Sequence, residues 1–162
     1  MLNLKKIIMS AAAIICLAAL CSCGGAKPDY SKDIDLDEIA QKALAVPEAN
    51  YKEMVRLSEK KVVNFYPDID VSQLEDMSIN LEGAGAADEF SAFKVKDSSY
   101  IETLKTAMQA HSEETIAKNA NYRPEEADAI KNALITVKGK YVFYIISANN
   151  AKVEETVDAL FR

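Results

Sequence analysis

The only histidine, His111, stands two residues before Glu113 and three before Glu114. A zinc site or a histidine-assisted nucleophile needs partners of matching type. There is no second histidine, and the three cysteines, Cys16, Cys21 and Cys23, all sit at the start of the chain. His111 is therefore read as a partly buried structural residue. No serine occupies a G-x-S-x-G setting, so nothing marks a nucleophile elbow. Gly83-Ala-Gly85 lacks the third glycine and the Gly-Lys-Ser/Thr run of a phosphate loop and reads as a hairpin loop. Asp68-Ile-Asp70 and Asp33-Ile-Asp-Leu-Asp37 alternate acids as calcium ligands do, but without the glycine and distal glutamate of an EF-hand. They read as caps and turns. Glu82, Asp88 and Glu89 remain, because carboxyl pairs are assembled in space and leave no spacing to detect. No catalytic residue, metal site or cofactor is assigned from these patterns.

Covalent chemistry has one better-marked address. Lys5 and Lys6 precede an apolar run from Ile7 to Leu20 with Ser10 as its only polar member, the layout of an export signal. The run is shorter than the roughly 20 residues that a helix needs to cross a bilayer. Leu20-Cys21-Ser22-Cys23-Gly24-Gly25 resembles the lipobox of bacterial lipoproteins: an aliphatic residue, a spacer, a small residue, then the cysteine to be acylated. Cys21 would put bulky Leu20 directly before the cut, and Cys16 would put the cut inside the apolar run, so lipidation is expected on Cys23. The mature chain would then sit on the outer face of the cell membrane. Its one remaining cysteine would be a thioether, which removes disulfides and cysteine-metal sites from the domain.

The 19 basic residues fall to 17 when Lys5 and Lys6 leave with the leader, against 25 acids. Phosphate backbones and anionic lipid surfaces both demand cationic faces. No nucleic-acid partner is expected, and the membrane is approached through the lipid alone.

These side chains must be placed by the elements around them. The chain divides into a leader, 1–22, a small polar tether, 23–32, and one domain, 33–162. Asp33 onward puts acids ahead of Leu36, Ile39, Ala43 and Leu44, a helix that Pro47 ends. A second helical stretch is expected from about Tyr51 to Phe65, closed by the turn Tyr66-Pro-Asp-Ile-Asp70. Met77, Ile79 and Leu81 then alternate with Ser78, Asn80 and Glu82, the period of a half-buried strand. Glu89 to Lys96 reads as its partner, without clean alternation, so a bulge near Ala92 or burial on both faces is expected. Asp97-Ser-Ser99 caps a long helix carrying Ile101, Leu104, Met108 and His111. Pro124 restarts a short one. Leu134–Lys138 and Tyr141–Ser147, joined by Gly139-Lys140, form a second hairpin. Tyr141 to Ile146 is apolar on both faces, hence central. Asn149 and Asn150 cap a final helix with Val153, Val157, Leu160 and Phe161 inward. The class is α+β: a single domain, an antiparallel sheet of about four strands in two hairpins, helices packed mainly on one face.

The stretch from about Ile39 to Phe161 resembles the domain-of-unknown-function family 4358 of small Gram-positive, largely clostridial lipoproteins. The likeness rests on the block Ile79 to Asp97, on Tyr122-Arg-Pro-Glu-Glu126 and on Val137-Lys-Gly-Lys-Tyr141. It implies export and this architecture, and it carries no catalytic residue. The expected role is a non-enzymatic binding or accessory module, a monomeric domain with an envelope protein as partner. The alternative is a small envelope hydrolase or transferase using the carboxylates above. For the partner surface, Ser78, Asn80, Glu82, Thr136 and Lys138 would stand in water on an open sheet face, with Tyr141 or Tyr144 as aromatic anchor. The competing assignment places those aromatics in the core.

Overall fold

The computed structural model describes residues 29–83, 86–121 and 123–162. The leader, the cut and Cys23 lie outside the described residues, as do Ala84, Gly85 and Tyr122.

Helix α1 (Leu36–Leu44) starts where the Asp35 carboxylate accepts the backbone N–H of Asp37 and Glu38 at 2.9 and 3.0 Å. That satisfies two of the amides a helix start leaves unpaired. A short edge strand, β1 (Met54–Arg56), and helix α2 (Glu59–Phe65) occupy the stretch expected to be one helix. Three residues are too few to show a period, and Val55 is exposed. The strand therefore left no apolar signature. Strands β2 (Leu74–Glu82) and β3 (Glu89–Val95) form the first hairpin. Helices α3 (Ile101–Asn119) and α4 (Pro124–Lys131) follow. The second hairpin, β4 (Leu134–Lys138) and β5 (Tyr141–Ile146), leads to helix α5 (Asn150–Leu160), which Asn149 caps on the Lys152 N–H.

The sheet is wholly antiparallel in the order β1-β2-β3-β5-β4, one strand more than expected. Its two central strands are buried on both faces. The irregular pattern of β3 is thus two-sided burial; the register slips in β2, between Leu74 and Asp76, and not near Ala92.

Helices cover both faces, and not mainly one. Phe90, Ala92, Tyr141, Phe143 and Ile145 pack with Leu36 and Ile39 of α1 and Val153 and Val157 of α5. The alternate residues Phe93, Val95, Val142, Tyr144 and Ile146 pack with Val62 of α2, Leu104 and Met108 of α3 and Ile130 of α4. Successive side chains on a strand point to opposite faces, so an all-apolar β5 requires cover on each.

The expected open polar face is largely closed among the described residues, with Glu82 and Thr136 half-buried. Ser78, Asn80 and Lys138 are buried. Ser78 donates to Asp37 at 3.0 Å, and Asn80 donates to the Phe90 carbonyl at 3.3 Å. Tyr141 and Tyr144 are 2 % and 1 % exposed, so both belong to the core and neither is a surface anchor.

The chain joins the body earlier than the expected tether end. The Asp29 N–H donates to the Phe161 carbonyl at 2.5 Å, and Tyr30 packs edge-on against Phe161. Tyr30 also lies over the β4–β5 turn, where Gly139 takes φ +61°, and a Cβ there would stand 2.5 Å from the Tyr30 carbonyl oxygen. Glycine is required at that position by conformation and by space.

Candidate functional site

Strands β2 and β3 are joined at the end of the sheet opposite Tyr30. Beneath their turn, on the face covered by α2, α3 and α4, is a half-open cavity of about 220 Å³. Its apolar wall comes from Phe65, Leu81, Ile130, Tyr144 and Ile146. Its polar groups come from three directions: Glu82, Asp88 and Glu89 from the hairpin, His111, Thr115 and Asn119 from α3, and Glu126 from the first turn of α4.

Glu89, the first residue of β3, is 3 % exposed. Ser91 Oγ donates to its Oε1 at 2.5 Å, and the Tyr66 hydroxyl donates to the same oxygen. Among the described residues no hydrogen bond falls on Oε2, and no buried side-chain oxygen is sealed off without a partner. The described residues thus leave Oε2 without a hydrogen bond, on a residue that lines the cavity. Burial pushes the Glu89 carboxyl up to about 7, with the Ser91 and Tyr66 hydroxyls opposing the rise. The same burial, with the charge of Glu89 beside it, drives the Tyr66 hydroxyl well above its ordinary value.

The neighbouring acids hold the turn. Glu82 Oε2 accepts the Ala86 N–H at 3.0 Å, and Glu126 Oε2 accepts the Ala87 N–H across from α4. Asp88 is raised by burial first and then by the charges of Glu82 and Glu126, while Lys52 pulls it down. None of the ion pairs among the described residues involves Glu82, Asp88, Glu89 or Glu126. His111 packs against both Phe65 and Tyr66, with ring centroids at 4.8 and 4.4 Å, in a three-ring cluster. Burial holds its pKa below the usual histidine value, with the charge of Glu114 acting the other way. At neutral pH it presents an uncharged ring to the cavity.

The structure thus unites residues considered separately in sequence: His111 and the three hairpin carboxylates share one cavity, and Tyr144 contributes to its wall. Tyr144 O–H meets Ser112 Oγ at 2.7 Å. Tyr141 is on the other face, where its hydroxyl accepts the Ile34 N–H at 2.9 Å. The alternating aspartates are elsewhere and occupied: Asp35 caps α1, Asp33 pairs with Lys94 at 2.9 Å, Asp37 pairs with Arg56, and Asp70 accepts Ser72 N–H and Oγ. Sequence reasoning missed Glu126, Phe65 and Ile130. Glu126 looks like any acid in a first helical turn, and only the packing of α4 beside the β2–β3 turn turns it inward.

Among the described residues no group of three His, Cys, Asp or Glu side chains converges closely enough to hold a metal ion. No helix among them is long and apolar enough to cross a membrane. The family described as "Domain of unknown function (DUF4358)" matches residues 47–147, which span the whole sheet and every residue lining the cavity. No curated protein and no solved structure matches the chain.

Proposed function

The chain belongs to the DUF4358 family, and from that premise we propose that it is a lipid-anchored extracytoplasmic binding module, acylated on Cys23, whose ligand site is the cavity under the β2–β3 turn. The observation that carries the binding role is the cavity itself. A partly enclosed, mostly apolar space with a few convergent polar groups is the usual form of a small-molecule site, and Glu89 presents an oxygen to it without a protein partner among the described residues. Support for the anchor comes from the export signal and Leu20-Cys-Ser-Cys23.

Tyr30 meets the body at the Gly139 turn, while the cavity lies against Glu89 and Ile146 at the other end of β5. At about 3.3 Å per residue the β5 strand separates these ends by roughly 17 Å. The test of the anchor is intact-mass analysis of membrane-extracted protein. We expect a diacylglyceryl thioether on Cys23 and release of Cys23→Ala into the soluble fraction; an unmodified Cys23 overturns it.

A second reading is favoured by one observation. Glu89, with its carboxyl near 7, has the protonation behaviour of a general acid, and Asp88 and Glu82 are beside it. A small envelope hydrolase or transferase would use these residues. Turnover of cell-wall fragments that disappears in Glu89→Gln would establish that reading in place of the binding module.

A further inference from the structure

We propose that the cavity under the β2–β3 turn binds a small organic ammonium, its charged head on the Glu89 oxygen that no described residue engages and on the Asp88 carboxylate, its apolar body against Leu81, Ile130 and Ile146. This rests on the binding-module reading and names its ligand class.

Three features of the site converge on it. The first is size. A cavity of about 150 Å³ accommodates a benzene ring, so about 220 Å³ admits a body of roughly seven to ten heavy atoms. The second is charge. Glu82, Asp88, Glu89 and Glu126 gather around the space with no ion-paired cation among the described residues, and burial and mutual repulsion raise Asp88. A cation in the cavity offsets that repulsion, whereas an anion would add to it. The third is shape. Among the described residues no three acidic or histidine side chains converge on a point, which disfavours a metal ion, while one carboxylate oxygen beside aromatic and aliphatic walls is what an ammonium with a hydrocarbon body requires. Phe65 and Tyr144 in the wall present rings to that cation.

Every group facing Glu89 bears on how binding responds to pH. Tyr51 and Tyr66 hydroxyls, from the loop before β1 and the end of α2, stay protonated because burial raises both. Tyr144 on β5 is likewise raised, and His111 on α3 stays neutral at neutral pH. Glu82 and Glu126 are engaged with the turn amides, and Lys52 acts on Asp88. Glu89 is then the group that changes charge near neutrality. An ammonium selects its ionised form, so binding should release a proton.

The test is calorimetric titration of the full-length, detergent-solubilised protein with benzylammonium, benzyl alcohol and benzoate, which share one body and differ in charge. Benzylammonium should bind tightest and benzoate weakest. Its affinity should rise about tenfold or more between pH 5.5 and 8, following ionisation of Glu89, with a heat that depends on the buffer's own ionisation. Glu89→Gln should erase the preference of cation over alcohol, and Asp88→Asn should reduce it. Equal binding of benzyl alcohol and benzylammonium overturns the ammonium inference and leaves the binding cavity standing. Binding of none of the three overturns both.

Discussion

The two ends of the sheet treat buried charge in opposite ways. At the Gly139 end, Lys138 is 8 % exposed, yet its ammonium sits 2.8 Å from Glu154 and 3.0 Å from Asp158, with Thr136 donating to the same Glu154 oxygen at 2.7 Å. Burial alone would lower the Lys138 pKa, but the two carboxylates outweigh it and the net shift is upward. Nearby, Lys94 is held by Glu75 at 2.5 Å and Asp33 at 2.9 Å. At the other end, Glu89 is more deeply buried and has hydroxyls and a cavity in place of a cation. A charge paired inside the fold serves to hold the N-terminal segment and α5 to the sheet. A carboxyl that is buried without a counter-charge is a cost to the fold, and such costs collect where something binds.

The largest expected effect breaks the paired end. Lys138→Met removes the cation and strands Glu154 and Asp158 against the sheet edge, so urea unfolding should show a loss of about 3 kcal/mol at pH 7, the lower part of the range for breaking a buried pair. A loss below half of that would place Lys138 with ordinary surface ion pairs such as Lys118–Glu114.

The unpaired end should respond with the opposite sign. Because Glu89 in the folded chain titrates near 7 and an unfolded glutamate near 4.5, the native state binds more protons between those values. Stability contributed by this group is whole below the unfolded value and declines as pH rises through the folded one. Glu89→Gln keeps an acceptor for Tyr66 and Ser91 and removes the titration. It should be nearly neutral at pH 4 and stabilising by about 2 kcal/mol at pH 8. Destabilisation at pH 8 would show that Glu89 has a counter-charge after all.

The smallest expected effects concern the tyrosines. Tyr141→Phe removes the acceptor of the Ile34 N–H and should cost about 1.5 kcal/mol, and Tyr144→Phe, which loses the Ser112 contact, about 1 kcal/mol. Tyr144→Phe also alters the cavity wall, so it should weaken benzylammonium binding, whereas Tyr141→Phe on the opposite face should leave it unchanged. Equal effects on binding would mean that the two faces are not separate.

Local chemistry by itself determined much of this protein. Capping by Asp35, Asp97 and Asn149, the proline start of α4 and the two hairpins are written in neighbouring residues, because caps, turns and strand periods are decided within a few positions of one another. The double-sided apolar run of β5 was legible too, though it implied cover on both faces that the polar residues of β2 and β4 obscured. Ser78, Asn80 and Lys138 looked solvated because their partners, Asp37, the Phe90 carbonyl, Glu154 and Asp158, lie far away in the chain or across a strand pair. Only the tertiary structure decided that β1 exists, since a three-residue edge strand is defined by what it pairs with. It alone decided that His111, Glu126 and the hairpin carboxylates share a cavity. No period or spacing records that meeting, because it depends on how α3 and α4 pack against the sheet beside the β2–β3 turn, and burial, which sets the protonation of Glu89, belongs to the assembled fold and to no residue alone.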